Sequence, residues 1–187
     1  DATADGGAWS SASNWGTSAV VGGAPGPDGW ANVDVAFGGA RTPQTSVVDG
    51  AYGVRALRFD TDGNAVVLPA AGPSARLTIG AGGLAQTGAG DTVIQVPVQL
   101  AANQTWQLDG GSLRLGALDL QGYRLTIAGA GQLTVDALVG AAASRIAKDG
   151  TGAVSLGNAA APADFAGTIA VSNGALSEDE TCAVGYM

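Results

Sequence analysis

The sequence predicts an all-β protein built as a β-solenoid, a stack of β-coils, and two observations support this fold. Short apolar triplets recur along the chain: LRF at 57, LTI at 77, LRL at 113, LTI at 125 and LTV at 133. Leu57 and Leu77 lie 20 residues apart, and so do Leu113 and Leu133. Glycine-rich segments such as GAGG, GAGD and LDGG separate the triplets. A recurrence of strand and corner near this period is typical of solenoids.

Each triplet is expected to form one strand of a coil. Apolar and polar residues alternate within it, which is the period of a strand with one buried face. Glycine suits the corners because it reaches positive φ without steric cost. VIQVPVQL at 93–100 occupies the longer interval between Leu77 and Leu113, and AVSL at 153–156 continues the series. About six coils, spaced by about 4.8 Å, are therefore expected.

An antiparallel sandwich or barrel is the competing architecture, because strands spaced by about 8 to 12 residues also pair as hairpins. FDTDGNAVVL at 59–68 resembles such a hairpin, with its turn at DGN. A composition that tolerates helix is confined to DALVGAAASRIA at 136–147, where Gly140 weakens it.

The chain divides into three parts. We interpret residues 1–50, rich in Trp, Gly and Pro, as an N-terminal cap or assembly segment, residues 51–176 as the β-solenoid, and residues 177–187 as an acidic C-terminal tail. Trp9, Trp15 and Trp30 all lie in the first part. They are expected to cover the open end of the apolar core, and a sugar-stacking platform is the alternative. The tail either stays solvated or adds as a strand to a neighbouring molecule.

Charge excludes several classes of function. The net charge is −8, and Lys148 is the only lysine. A nucleic-acid binder needs a cationic surface, and an anionic membrane surface would repel this chain. No apolar run approaches the roughly 18 residues that a membrane-spanning helix requires. The sequence therefore predicts neither a nucleic-acid partner nor membrane insertion. The acidic, lysine-poor composition favours a secreted protein, with DATADGG as its mature N-terminus.

The residues that usually carry catalysis are scarce. The chain has no histidine, which excludes Ser-His-Asp and Cys-His catalysis and His/Cys zinc sites. Cys182 is the only cysteine, so no internal disulfide forms, and a free thiol or an intermolecular disulfide are the two interpretations. The chain is expected not to be an enzyme and to need no cofactor.

Paired carboxylates are the one catalytic arrangement that the composition allows. A stack of coils can align Asp residues from neighbouring turns, and Asp109, Asp119 and Asp136 are the candidates. The separation of the two carboxylates would decide the mechanism. Solvated carboxylates at the coil corners are the simpler interpretation, and we favour it.

A weak calcium candidate lies in DTDGN, where Asp60, Asp62 and Asn64 alternate as oxygen ligands. The twelfth position of a calcium loop carries a bidentate Glu, and Ala71 stands there in this chain. A tight turn built from Asp, Gly and Asn is the favoured interpretation, so no metal is expected.

Residues 148–176 carry a specific resemblance. The stretch KDGTGAVSLGNAAAPADFAGTIAVSNGAL resembles the autotransporter-associated β-strand repeat, and the N-terminal residues Trp9, Asn14, Trp15, Pro25 and Gly26 are similar to the segment that often precedes such repeats. The matching residues of the repeat are Lys148, Gly150, Gly152, Leu156, Asn158, Phe165, Gly167, Val171, Gly174 and Leu176.

The resemblance implies a right-handed parallel β-helix that is secreted to the exterior or the cell surface of a Gram-negative-type bacterium. Family members continue through many more repeats, so the chain is expected to be either a fragment of a long passenger or a small subunit that stacks with its own copies.

The first functional hypothesis is an extracellular structural protein that self-assembles head-to-tail into a fibre, sheath or surface layer. The open ends of a β-helix expose unpaired N–H and C=O groups, and a contact that does not close on itself gives a filament. The expected partners are copies of the chain, joined through Trp9, Trp15, Trp30 and Cys182. The alternative is an adhesin or autotransporter passenger fragment that binds surface glycans or a host surface. A carbohydrate-active enzyme on a β-helix is the third hypothesis.

Overall fold

The computed structural model describes residues 7–11, 33–38, 44–60, 66–157 and 165–178, which form a β-solenoid of about six turns. All regular secondary structure in this part of the chain is β-strand, including the 136–147 segment whose composition tolerates helix. Every strand pairing among these residues is parallel. The solenoid prediction is confirmed, and the antiparallel alternative is excluded for this part of the chain.

The strands form two sheets. Sheet 1 has eight strands in the order β1 (Gly7–Ala8), β3 (Gln44–Val47), β5 (Val66–Leu68), β7 (Asp91–Ile94), β10 (Ser112–Leu115), β13 (Gln132–Val135), β16 (Ala153–Leu156) and β18 (Ala175–Glu178). Sheet 2 has ten strands: β2 (Asp34–Gly38), β4 (Ala51–Asp60), β6 (Arg76–Gln86), β8 (Val98–Leu100), β9 (Gln104–Leu108), β11 (Leu118–Asp119), β12 (Arg124–Ala128), β14 (Leu138–Val139), β15 (Arg145–Lys148) and β17 (Thr168–Val171). Strands from residues 7–47 belong to these sheets, N-terminal to the predicted start of the solenoid at residue 51.

Sheet 2 bends into two sides. The first half of β6 pairs with β8 through Leu77, and the second half pairs with β9 through Leu84. The long strands β4 and β6 therefore run across both sides, whereas later turns use separate short strands for each side. Each complete turn passes along the first side of sheet 2, then its second side, and then sheet 1. We call the corner between the second side of sheet 2 and sheet 1 the glycine corner; it comprises residues 87–90, 109–111, 129–131, 149–152 and 172–174.

The core consists of rows of inward side chains in register between turns. In sheet 1, Leu113 pairs with Leu133, which pairs with Val154, and all three are buried. Burying a Leu or Val side chain fully contributes about 1.5–3 kcal/mol, so each added turn stabilises the one before it. Trp106 is fully buried in this core, and its Nε1 donates to Gln104 Oε1 at 2.8 Å.

The register of the triplets was predicted correctly only in part. Leu113 and Leu133 are register partners, as the 20-residue recurrence predicts, and AVSL at 153–156 forms β16 beside β13. The equivalence of Leu57 and Leu77 was wrong: Leu57 pairs with Leu84, 27 positions later, and Leu77 pairs with Val98. The triplets at 57 and 77 lie on different sides of sheet 2. Triplets on different sides look alike because all of them alternate inward apolar and outward polar residues.

Candidate functional site

The last described turn, with strands β17 and β18, is the candidate functional site. These strands pair with β15 and β16, respectively. Within the described residues each of them has a strand partner on one edge only. The N–H and C=O groups of the opposite edge form a template that a further parallel strand could extend.

Apolar side chains of this turn continue the buried rows of the solenoid. Ile169 is in register with Ile146, and Leu176 is in register with Val154. Ile146 and Val154 are at most 2% exposed, whereas Ile169 and Leu176 are only partly buried. Val171 is 42% exposed although its row is buried in earlier turns. The core therefore ends in an apolar surface at this turn.

Trp9 lies at the opposite end and is fully buried. It follows β1, and its ring packs against Tyr52 with centroids 5.4 Å apart. A buried ring has no free face for a sugar or for a neighbouring molecule. Trp9 is thus a core residue of the first described turn, and its predicted roles in assembly and in sugar stacking gain no support from its position. Trp15, Trp30 and Cys182 lie outside the described residues.

Asp60, the first residue of the weak calcium candidate, is exposed at the end of β4, and its Oδ1 accepts a hydrogen bond from Thr87 Oγ1 at 3.2 Å. Asp62 and Asn64 lie outside the described residues. The residues that the structure describes contain no group of three or more His, Cys, Asp or Glu that could hold a metal ion.

The three candidate carboxylates are not brought together. Asp109 follows β9 at the glycine corner, Asp119 lies in β11 on the first side of sheet 2, and Asp136 follows β13 of sheet 1. Asp136 forms an ion pair with Arg114 at 3.1 Å, Asp119 accepts from the Gln121 backbone at 2.9 Å, and Asp109 accepts from the Gln107 amide. The carboxylates therefore occupy different parts of the perimeter and bond to neighbours, which supports the simpler interpretation of solvated corner residues.

The glycine corner explains the pattern KDGTG at 148–152. A Cβ on Gly150 would overlap the carbonyl oxygen of Gly129, and one on Gly152 would overlap that of Gly131. In the next turn Gly174 has φ of +85°, and a Cβ there would lie 2.5 Å from the Gly150 oxygen. Successive turns thus stack backbone on backbone at this corner, and the glycines of the motif allow that close approach.

The residues that end the core were not predicted as such from the sequence: Val171 and Leu176 were named only as residues of the repeat motif, and Ile169 was not named. Tryptophan and cysteine drew attention to the chain ends, whereas the apolar surface belongs to Ile169, Val171 and Leu176. These residues have the same alternation as the buried rows, in TIAV at 168–171 and in AL at 175–176. The signal that could have identified these residues is their place in the last segments of the chain that show this alternation.

Comparisons with known proteins found no matching family model, no matching curated protein and no matching solved structure. Among the described residues there is also no helix with the length and apolar character needed to cross a bilayer.

Proposed function

We propose that this chain is an extracellular structural protein, a β-solenoid subunit that stacks head-to-tail with copies of itself into a fibre, sheath or surface layer. The observation that carries the proposal is the open edge of the last described turn. Among the described residues no further strand pairs with its outer edge, and its apolar residues Ile169, Val171 and Leu176 require a covering β-coil to be buried like the rows behind them. A second copy can supply strands of that kind.

The direction of stacking follows from the strand pairing. All described pairings are parallel, and the strands run across the solenoid axis. Two copies that met through the same end would place their edge strands antiparallel. A second copy that continues the parallel ladder must therefore present its N-terminal end to β17 and β18. Such a contact is heterologous and does not close on itself, which is the geometry of a filament.

Charge sets the conditions for assembly. Each copy carries a net charge of −8, so copies repel one another at neutral pH. Salt screens this repulsion over roughly 8–10 Å at physiological ionic strength. Assembly is therefore expected to strengthen as salt is raised.

Location outside the cell is supported by the acidic, lysine-poor composition and by the resemblance of residues 148–176 to a passenger repeat.

The test uses two matched valines. Val171 is 42% exposed at the open end, and Val139 is 37% exposed on the first side of sheet 2. In Val171→Lys an ammonium must leave water and enter the apolar contact when a second copy docks, which costs several kcal/mol. We expect sedimentation velocity and negative-stain electron microscopy to show concentration-dependent filaments for the wild type and Val139→Lys. Val171→Lys should assemble at least tenfold more weakly.

Two results would contradict the proposal. Wild-type protein that stays monomeric at every protein and salt concentration would rule out self-assembly. Equal weakening by Val139→Lys and Val171→Lys would place the contact on the sides of the solenoid or attribute it to charge alone.

A further inference from the structure

Lys148, the only lysine of the chain, points into the core. It ends β15 and is in register with Ile127 of the preceding turn and Val171 of the next. Only 1% of it is exposed, so its aliphatic stem replaces an apolar side chain in a buried row. A buried ammonium is costly unless it is hydrogen-bonded, and its partners therefore matter.

The ammonium bridges two successive turns at the glycine corner. Nζ donates to the carbonyl oxygen of Gly150, in its own turn, and to that of Asn173 at 3.3 Å, in the last described turn. Gly174, at φ +85°, leaves room for it, because a Cβ there would lie 2.6 Å from Nζ. The corner is therefore shaped around the ammonium group.

The same arrangement occurs earlier in the stack with a neutral side chain. Gln86 Nε2 donates to Gly90 O of its own turn at 2.6 Å and to Ser112 O of the next turn at 3.2 Å. Gly111, with φ +61°, stands where Gly174 stands, and a Cβ on it would lie 2.6 Å from Gln86 Nε2. A donor that joins the carbonyls of two turns beside a positive-φ glycine is thus a repeated way of fastening one turn to the next.

Lys148 differs from Gln86 in charge and in place. Hydrogen bonds from a charged donor are roughly twice as strong as neutral ones. Burial lowers the pKa of Lys148 below its ordinary value, while the charge of the exposed Asp149 acts in the opposite direction. Lys148 also bonds to the last described turn, whose strands have a neighbouring strand on one side only within the described residues. A hydrogen bond between turns should reduce local opening most in such a turn.

We propose that Lys148 is the positioning residue of the open end: its ammonium fastens the corner at Asn173 to the corner at Gly150 and so holds β17 and β18 in the stacked register. The role in assembly rests on the proposed function, because the edge that Lys148 orders is the edge on which the next copy would stack. The fastening itself is a property of the single chain.

Hydrogen exchange followed by mass spectrometry tests the fastening on dilute, monomeric full-length chain. Lys148→Met keeps the apolar stem and removes the donor. We expect amide exchange in residues 168–178 to rise by roughly tenfold or more, with residues 104–135 unchanged. Lys148→Gln, which imitates Gln86, should restore part of the protection. Arg145→Met is the matched control: it removes an exposed cross-turn bond from the same strand, Arg145 Nη1 to Thr168 Oγ1 at 3.2 Å, and should change exchange little.

The outcomes separate this inference from the proposed function. Unchanged exchange at 168–178 in Lys148→Met, or an equal rise along the whole solenoid, would overturn the role of Lys148. A local rise in a chain whose wild type never forms filaments would retain the fastening and reject self-assembly. If the wild type does form filaments, Lys148→Met should form them more weakly than Arg145→Met, and equal assembly would remove Lys148 from the contact.

Discussion

The first and last described turns of the solenoid end its core in opposite ways. In the first two described turns Trp9, after β1, and Phe37, in β2, are fully buried, and Phe37 stacks on Phe59 with ring centroids 5.3 Å apart and planes 8° from parallel. In the last turn Val171 is 42% exposed, and Ile169 is only partly buried. The N-terminal end thus has a wide, aromatic, buried core, and the last described turn leaves aliphatic side chains at its surface.

Because the two ends are packed differently, we expect the N-terminal turns to be more stable than the last described turn. In a solenoid each turn contacts only its neighbours, so a turn with one neighbour is held by one interface. The described N-terminal turn offsets this with large aromatic contacts, each of which buries more apolar area than a Val or Ile side chain. The last described turn has one aromatic contact, the partly buried ring of Phe165 beside Gly140, and otherwise relies on backbone pairing and on the buried ammonium of Lys148. Fraying should therefore begin at the C-terminal end.

The largest expected effect is a difference in free energy of unfolding between the two ends. Phe37→Ala removes a fully buried ring that is stacked on Phe59 and lies in β2, whose strand partner among the described residues is β4, and should destabilise the protein by about 3–5 kcal/mol. Ile169→Ala removes a partly buried side chain in the last described turn and should cost about 1 kcal/mol. Urea denaturation measures both. Equal losses would mean that the two ends are equally well packed and would remove the basis of the comparison.

A smaller effect is expected at alkaline pH and belongs to the N-terminal end. Tyr52 donates its hydroxyl to Asp49 Oδ1 at 2.8 Å, and Asp49 also accepts from the Ser10 backbone at 3.1 Å. Burial, the hydrogen bond to Asp49 and the charge of Asp49 raise the pKa of Tyr52 from 10.0 to about 12. Burial acts to raise the pKa of Asp49, but the hydrogen bonds from Ser10 and Tyr52 outweigh it and lower that pKa.

The sign of the pH effect follows from proton binding. In the unfolded chain Tyr52 loses its proton near pH 10, and in the folded chain only near pH 12. The stabilisation is therefore complete below pH 10 and is lost as the pH rises toward 12. Because Asp49 is exposed and screened, the loss should be about 1–2 kcal/mol. Urea midpoints measured between pH 9 and 12 should show this loss for the wild type and not for Tyr52→Phe; matching pH profiles would exclude Tyr52 as its source.

Sequence reasoning predicted the fold from its local patterns and misplaced part of the long-range register. The alternation in LRL and LTV, together with their 20-residue separation, is sufficient to identify β10 and β13 as neighbours, because that separation is the length of their turn. Leu57 and Leu84 are separated by 27 positions because the corner before β6 is longer and a register shift inside the β4–β6 pairing adds two more residues. The pairing partner lies 25 positions later for Val54 and 27 positions later for Ala56. The length of such a corner depends on how the turns stack, and a single triplet contains no information about it.

The candidate site was predictable to a smaller extent. Lys148 and Gly174 were identified from the sequence as residues of a repeat motif, yet the motif does not show that the ammonium reaches the carbonyl of Asn173 in the next turn. That contact depends on the register of β15 with β17 and on the positive φ of Gly174. Composition pointed instead to Trp9, whose burial follows from its packing on Tyr52.

The smallest expected effect has the opposite sign and lies in the turn between the two ends. Thr92 in β7 points inward in register with Leu113, and it is 1% exposed. Its Oγ1 has no hydrogen-bond partner among the described residues, whereas the buried Lys148 has two carbonyl partners. Thr92→Val should therefore raise the free energy of unfolding by up to about 1 kcal/mol, because it removes a buried polar atom and keeps the shape. A loss of stability in urea denaturation would mean that the Thr92 hydroxyl is satisfied, for instance by a buried water, as the buried side chains of Gln86 and Lys148 are by backbone carbonyls.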